Sequence, residues 1–163
     1  MEHVMLGPDN ALWDDGEWIS WDEISRQIQH KEWGAKYPNA NRALIPVLEQ
    51  LLETARTYHE ETGSHLQVYG DIGELYGAIT YGIKLHRNYA QGSDGRLGND
   101  FIEVKTISPF KNGDRVEVKL TGHFNKLLVV KISEEFELTH KLIDRRSLPK
   151  TTAKLQRVKW KNL

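Results

Sequence analysis

The chain has no cysteine, which excludes disulfides and thiolate zinc sites and leaves oxygen and imidazole as its metal ligands. It has no apolar run near the roughly 20 residues that a membrane-spanning helix needs. Its first residues, Met1-Glu2-His3-Val4, lack the basic and apolar regions of a secretory signal, so a cytoplasmic protein without membrane contact is expected. The seven histidines (His3, His30, His59, His65, His86, His123, His140) include no H-E-x-x-H spacing, and no nucleophile-elbow serine accompanies them. They read as surface or packing residues. The Gly92–Gly98 stretch is glycine-rich but lacks the Lys-Ser/Thr ending of a phosphate-cradling loop. No repeat or low-complexity tract is present, and 163 residues suffice for one domain, 1–163, with a real core.

Net charge is also nearly absent, at −1, but that value hides an asymmetry. Residues 1–62 hold twelve acids and five Lys/Arg, a balance of −7. Residues 141–163 hold eight Lys/Arg against Asp144 alone, a balance of +7. A basic end suits a phosphate-binding surface, with Arg145, Arg146, Lys150, Lys154 and Arg157 as its leading contacts. The alternative is a solvated tail.

The pattern divides the chain into an N-terminal arm with helices over 1–66, a core over 67–150 and a basic segment over 151–163. Residues 1–20 read as an irregular, Gly-, Asp- and Trp-rich arm whose tryptophans pack on the body. Ser20 with Glu23 forms a capping box that predicts a helix over 21–31. Leu44, Val47, Leu48, Leu51, Leu52, Ala55 and Tyr58 recur at helical steps and predict an amphipathic helix that stops before Gly63, with Pro46 in its first turn. Asp71 and Glu74 open another helix that runs to about Tyr81, bare on the side of Gly73 and Gly77. Strands follow at 83–87, 91–96, 100–108, 115–120, 126–133 and 136–143, with Asn112-Gly113 as a hairpin turn. A short basic helix is expected after Pro149. The class is α+β, helices first and a mainly antiparallel sheet after.

The chemistry concentrates in Gly92-Ser93-Asp94-Gly95, followed after eight intervening residues by Glu103-Val104-Lys105. Alternation along a strand puts Glu103 and Lys105 on one face and Ile102 and Val104 on the other. An acid, an ammonium and a second acid on a neighbouring turn make a divalent-metal site with a built-in cation. The tripeptide recurs as Glu117-Val118-Lys119, so the tripeptide alone is not specific. Only the first copy follows a Gly-flanked acid at a workable distance. Each group also has an ordinary explanation: Asp94 as a turn residue, Glu103 and Lys105 as a surface pair, and Glu74 as a cap of its own helix.

In the order of these parts the chain resembles the PD-(D/E)xK, or restriction-endonuclease-like, nuclease superfamily, most closely its small bacterial members of unknown function. The match is Asp94 as first acid, Glu103 as second acid and Lys105 as the lysine. Gly70-Asp71-Ile72-Gly73-Glu74 corresponds to the opening helix, and Leu127-Leu128-Val129-Val130 to the next strand; about residues 68–150 are covered. The resemblance implies a mixed β-sheet core flanked by helices, with an extra N-terminal helical segment. It implies Mg²⁺ or Mn²⁺ held by Asp94, Glu103 and the Val104 carbonyl, with Lys105 and Glu74 on the attacking water. It further implies cleavage of DNA by a restriction or defence-type endonuclease; because two strands need two single-site subunits, a homodimer is expected. Two departures stand out. In place of the usual helix between the lysine strand and the next buried strand, the chain has the Asn112-Gly113 hairpin and only a short helix expected at Thr121–Lys126, and Asn125 stands where relatives have an aspartate. The alternatives are a catalytically inactive nucleic-acid-binding or protein-interaction module on the same fold, and an inhibitor whose acidic N-terminal 62 residues mimic nucleic acid.

Overall fold

The computed structural model describes residues 5–36, 38, 41–87 and 92–163, apart from the side chains of Trp33 and Lys36. Expectations that fall on residues 1–4, on the Trp33 side chain and on Gln91 lie outside the described residues. The chain divides into two compact units, Met1–Pro38 and Asn39–Leu163.

In the first unit the expected irregular arm is a β-hairpin, β1 (Ala11–Asp14) paired antiparallel with β2 (Glu17–Ser20). Asp15 and Gly16 both take positive φ at its turn; Asp-Gly is a favoured pair for a two-residue hairpin loop, and it was the local signal for this element. Trp13 and Trp18 face each other across the strands, ring centroids 5.2 Å apart and edge to face. Helix α1 (Trp21–Lys36) starts where the capping box puts it, with the Glu23 N–H donating to Ser20 Oγ at 3.1 Å.

The second unit is mixed α+β. Helix α2 (Ile45–Thr62) carries Pro46 in its first turn, buries Ile45, Leu48 and Ala55, and ends at Gly63 in the left-handed conformation. Helix α3 (Tyr69–Tyr81) begins two residues earlier than the Asp71 start expected. The strands are β3 (Lys84–Leu85), β4 (Gly95–Leu97), β5 (Asp100–Ile107), β6 (Arg115–Lys119), β7 (Lys126–Ile132), β8 (Leu138–Asp144) and β9 (Leu155–Lys159). Five of them form one sheet in the order β3-β4-β5-β7-β8. Its centre is a parallel pair, β5 with β7, and the other neighbours run antiparallel.

Three expectations are corrected here. Asn112-Gly113 does not make a hairpin: β5 pairs with β7, and β6 pairs with β9 in a separate two-stranded sheet. Residues 121–126 hold no helix, so β6 and its flanking turns carry the β5-to-β7 crossover. The segment after Pro149 gives strand β9, with only a short 3-10 turn at Trp160–Asn162.

The two faces of β5 explain the layering. Ile102 and Val104 are buried, and Thr106 on the same face meets α3. On that helix a Cβ at Gly73 would stand 2.0 Å from Thr106 Oγ1, and one at Gly77 would stand 2.8 Å from a Leu128 methyl. Glycine at both positions lets the helix lie directly on the sheet. On the opposite face Ile107, Leu127 and Val129 pack with Val116, Val118 and Val158 of the small sheet and with Phe124 and Leu148. Glu103 and Lys105 belong to this second face by alternation.

Candidate metal and catalytic site

Asp94 is fixed by its backbone before its side chain acts. Its carbonyl accepts from the His86 N–H at 2.9 Å, and its own N–H donates to the Ile102 carbonyl at 2.9 Å. Ser93 beside it is buried and shares a 3.1 Å hydrogen bond with His86 Nε2. The following Gly95 is required by close approach: a Cβ there would meet an Ile83 methyl at 2.7 Å and the Lys84 carbonyl at 2.8 Å.

The β4–β5 ladder covers β5 only from Asp100 to Ile102. Beyond it, Asp94 Oδ2 accepts the Val104 N–H at 2.6 Å. In a strand a residue's N–H and C=O leave on the same side, so the Val104 carbonyl faces the edge where Asp94 sits. Glu103 and Lys105 flank this valine and pair with each other, Nζ to Oε1 at 2.8 Å, with side chains 14% and 30% exposed.

Glu74 joins them from α3. Its carboxyl is pushed up from the ordinary 4.5 to about 7, first by burial and then by the negative charges of Asp94, Asp71 and Glu103, with Lys105 acting in the opposite direction. The four groups named from sequence, Glu74, Asp94, Glu103 and Lys105, therefore share one electrostatic neighbourhood. Asp71 adds to its field. Because α3 starts at Tyr69 after Val68, Glu74 lies in the second turn rather than at the capping position, and its helix-capping explanation falls away. Thr106, next to Lys105, has a buried hydroxyl with no hydrogen-bond partner among the described residues. Asp100, at the start of β5, forms an ion pair with Lys126 at 3.4 Å.

Among the described residues no group of three or more His, Asp or Glu side chains is arranged to hold a metal ion. The donor set in question is smaller: two carboxylates and one carbonyl. It fits Mg²⁺, which commonly takes one or two carboxylates and keeps several waters. The negative charges of Asp94, Asp71 and Glu103, which add to burial in raising the Glu74 carboxyl, are ones that a bound cation would offset.

Asn125 does locally what an aspartate could do. Its Oδ1 accepts the Phe101 N–H at 2.8 Å and its own N–H donates to the Phe101 carbonyl at 2.8 Å, which starts the parallel β5–β7 pair.

The basic residues named from sequence fall into separate environments. The Arg145 guanidinium lies over the Phe124 ring at 4.3 Å and donates to the carbonyls of Leu120, Gly122 and Phe124. Arg157 bonds Glu117 across the small sheet at 3.3 Å. Arg146, Lys150 and Lys154 line a groove of about 1170 Å³. Lys141 donates to the carbonyls of Trp160 and Leu163 and sits over the Trp160 ring.

Compared with known proteins, the chain matches no family model and no curated sequence. No helix among the described residues is long and apolar enough to cross a membrane.

Proposed function

We propose that this protein is a Mg²⁺- or Mn²⁺-dependent endonuclease of the PD-(D/E)xK kind, on a restriction-endonuclease-like core, that hydrolyses phosphodiester bonds in DNA as a restriction or defence-type enzyme. One observation carries the reading: the Asp94 carboxylate docks on the Val104 N–H beside the Glu103–Lys105 pair, within the field of a half-buried Glu74. Asp94, Glu103 and the Val104 carbonyl would hold the ion. Once bound, the ion lowers the pKa of a coordinated water and polarises the phosphate.

The remaining work belongs to the chain. Lys105, oriented by Glu103, directs the attacking water and meets the charge that grows on the phosphate oxygens. Glu74, with a pKa near neutrality, is suited to accept the proton that the water gives up. Two strands of a duplex require two such sites, so a homodimer is the working assembly.

The test is cleavage of supercoiled plasmid and of linear duplex with Mg²⁺ or Mn²⁺, by the wild type and by Glu103→Gln and Lys105→Ala. Metal-dependent cutting that both substitutions abolish supports the reading. If no substrate is cut with either ion, the nuclease is refuted, and a binding or protein-interaction module on the same core takes its place.

A further inference from the structure

The groove beside the β7–β8 corner is walled by two loops whose ends are pinned. Arg145 staples the 120–124 turn through three carbonyls, and its own N–H donates to the Asn125 carbonyl at 2.8 Å. The facing loop, residues 148–154, is held at one end by buried Leu148 and by Gln156, whose Nε2 donates to the Pro149 carbonyl at 3.0 Å. At the other end the Leu120 N–H donates to the Lys154 carbonyl at 2.8 Å. The two walls are therefore tied to each other.

Their lining is cationic and hydroxylic. Arg146, Lys150 and Lys154 are exposed and line the groove with Thr121, Thr151 and Thr152. Among the described residues these three cations make no ion pair, whereas Lys126, also in the lining, is paired with Asp100. Asp144 is the remaining acid of the lining. Unpaired cations along a fixed channel gain by neutralising a row of phosphates, because each contact releases a condensed counterion. A channel with this lining has donors for phosphate oxygens.

We infer that this groove is the nucleic-acid backbone site of the protein, with Arg146, Lys150 and Lys154 as its phosphate contacts, while Arg145 builds its wall and Arg157 takes no part. The inference rests on the nuclease reading for the identity of the anion and on nothing else in it.

The experiment measures binding of a labelled 30-base-pair duplex by fluorescence anisotropy in EDTA, across a salt series, so that cleavage plays no role. The Arg146→Gln/Lys150→Gln/Lys154→Gln variant should bind at least about 10-fold more weakly and flatten the log–log salt slope by about 2–3. A matched variant, Lys119→Gln/Lys159→Gln/Lys161→Gln, removes the same charge outside the groove and should stay within about 3-fold of wild type. Lys150→Glu alone should weaken binding measurably, which covers the case in which the triple variant fails to fold. Equal losses in the two triple variants would overturn the groove as a site. So would a wild type that ignores the duplex but binds vesicles containing anionic phospholipid. Binding that depends on the groove, in a protein that cuts nothing, removes the nuclease and leaves this inference standing. Cutting that survives the groove variant with unchanged affinity does the reverse.

Discussion

The chain writes Glu-Val-Lys twice, in β5 and again in β6, and the two copies differ in everything except their central valine. Val104 and Val118 are both buried, at 6% and 0% exposure. In the first copy the flanking acid and lysine turn to each other at 2.8 Å, with Glu103 only 14% exposed and Asp94 anchored on the valine's N–H. In the second, Glu117 is 55% exposed and reaches across the strand pair to Arg157. The same three side chains make a secluded charge cluster in the central sheet and a solvated cross-strand contact in the small one. The difference lies in the neighbours: Asp94 on a pinned loop and Glu74 on a helix pressed close to β5.

The sharpest way to break the comparison is catalytic. Glu103→Gln or Lys105→Ala should lower metal-dependent cleavage by about 10²–10³-fold or more, the usual cost of losing one group that meets developing charge. Glu117→Gln and Lys119→Ala should leave the rate within about 2-fold, since an exposed pair of this kind contributes little. Plasmid nicking under identical conditions reads all four. Equal behaviour of the two tripeptides would remove the assignment of the site to β5.

The next largest effect concerns how the first copy is seated. Gly73→Ala puts a methyl 2.0 Å from Thr106 Oγ1, and overpacking of this kind costs about 1–3 kcal/mol. Thr106→Ala should recover part of that loss in the double variant, a coupling that urea melts of the two single variants and the double would expose. Strict additivity would mean that the helix does not rest on this contact.

How much of this could be read from residues alone varies with the range of the interaction. The placement of Glu103 beside Lys105 on one face of β5, with Asp94 on an adjoining turn, was legible because alternation and the Gly-flanked turn are local. Helix α2 was legible through its apolar period and its two ends, Pro46 and Gly63. The parallel β5–β7 pair was not, because it depends on a crossover that no local pattern encodes. Strand β9 was hidden for a simpler reason. Val158 is its one buried residue, so no alternation marks it, and its purpose is to complete a cover over Val116 and Val118. The Asp15-Gly16 turn is a local signal for the β1–β2 hairpin that the Gly-, Asp- and Trp-rich composition around it masks. Arg145 and Arg157 look like phosphate ligands in a charge count, and only tertiary contacts show them occupied.

A smaller effect follows from Glu74, whose folded pKa of about 7 lies above its ordinary 4.5. The folded state binds this proton more tightly than the unfolded state. Its contribution to stability is therefore complete below about pH 4.5, declines as pH rises toward 7 and is absent above that. After allowance for solvent screening of a half-exposed group, the swing is about 1–2 kcal/mol. In metal-free protein, Glu74→Gln should stabilise relative to wild type at pH 8 and lose that advantage at pH 5. Chemical denaturation at the two values reads the difference directly, and a pH-independent difference would show that Glu74 is not held in this field.

The smallest effect belongs to the second copy itself. Glu117 and Arg157 stand opposite each other in register, with Nε to Oε1 at 3.3 Å and both side chains more than half exposed. Water screens the pair, and ordering two long side chains offsets part of the attraction. A double-mutant cycle with Glu117→Ala and Arg157→Ala should therefore give a coupling of about 0.2–1 kcal/mol that shrinks as salt is raised. The corresponding cycle on Glu103 and Lys105, in metal-free protein, should give a larger coupling that resists salt, because that pair is mostly withdrawn from solvent. Were the β6 pair to prove the stronger and the less salt-sensitive of the two, burial would not be what separates the copies, and the contrast between them would have to be sought in Asp94 alone.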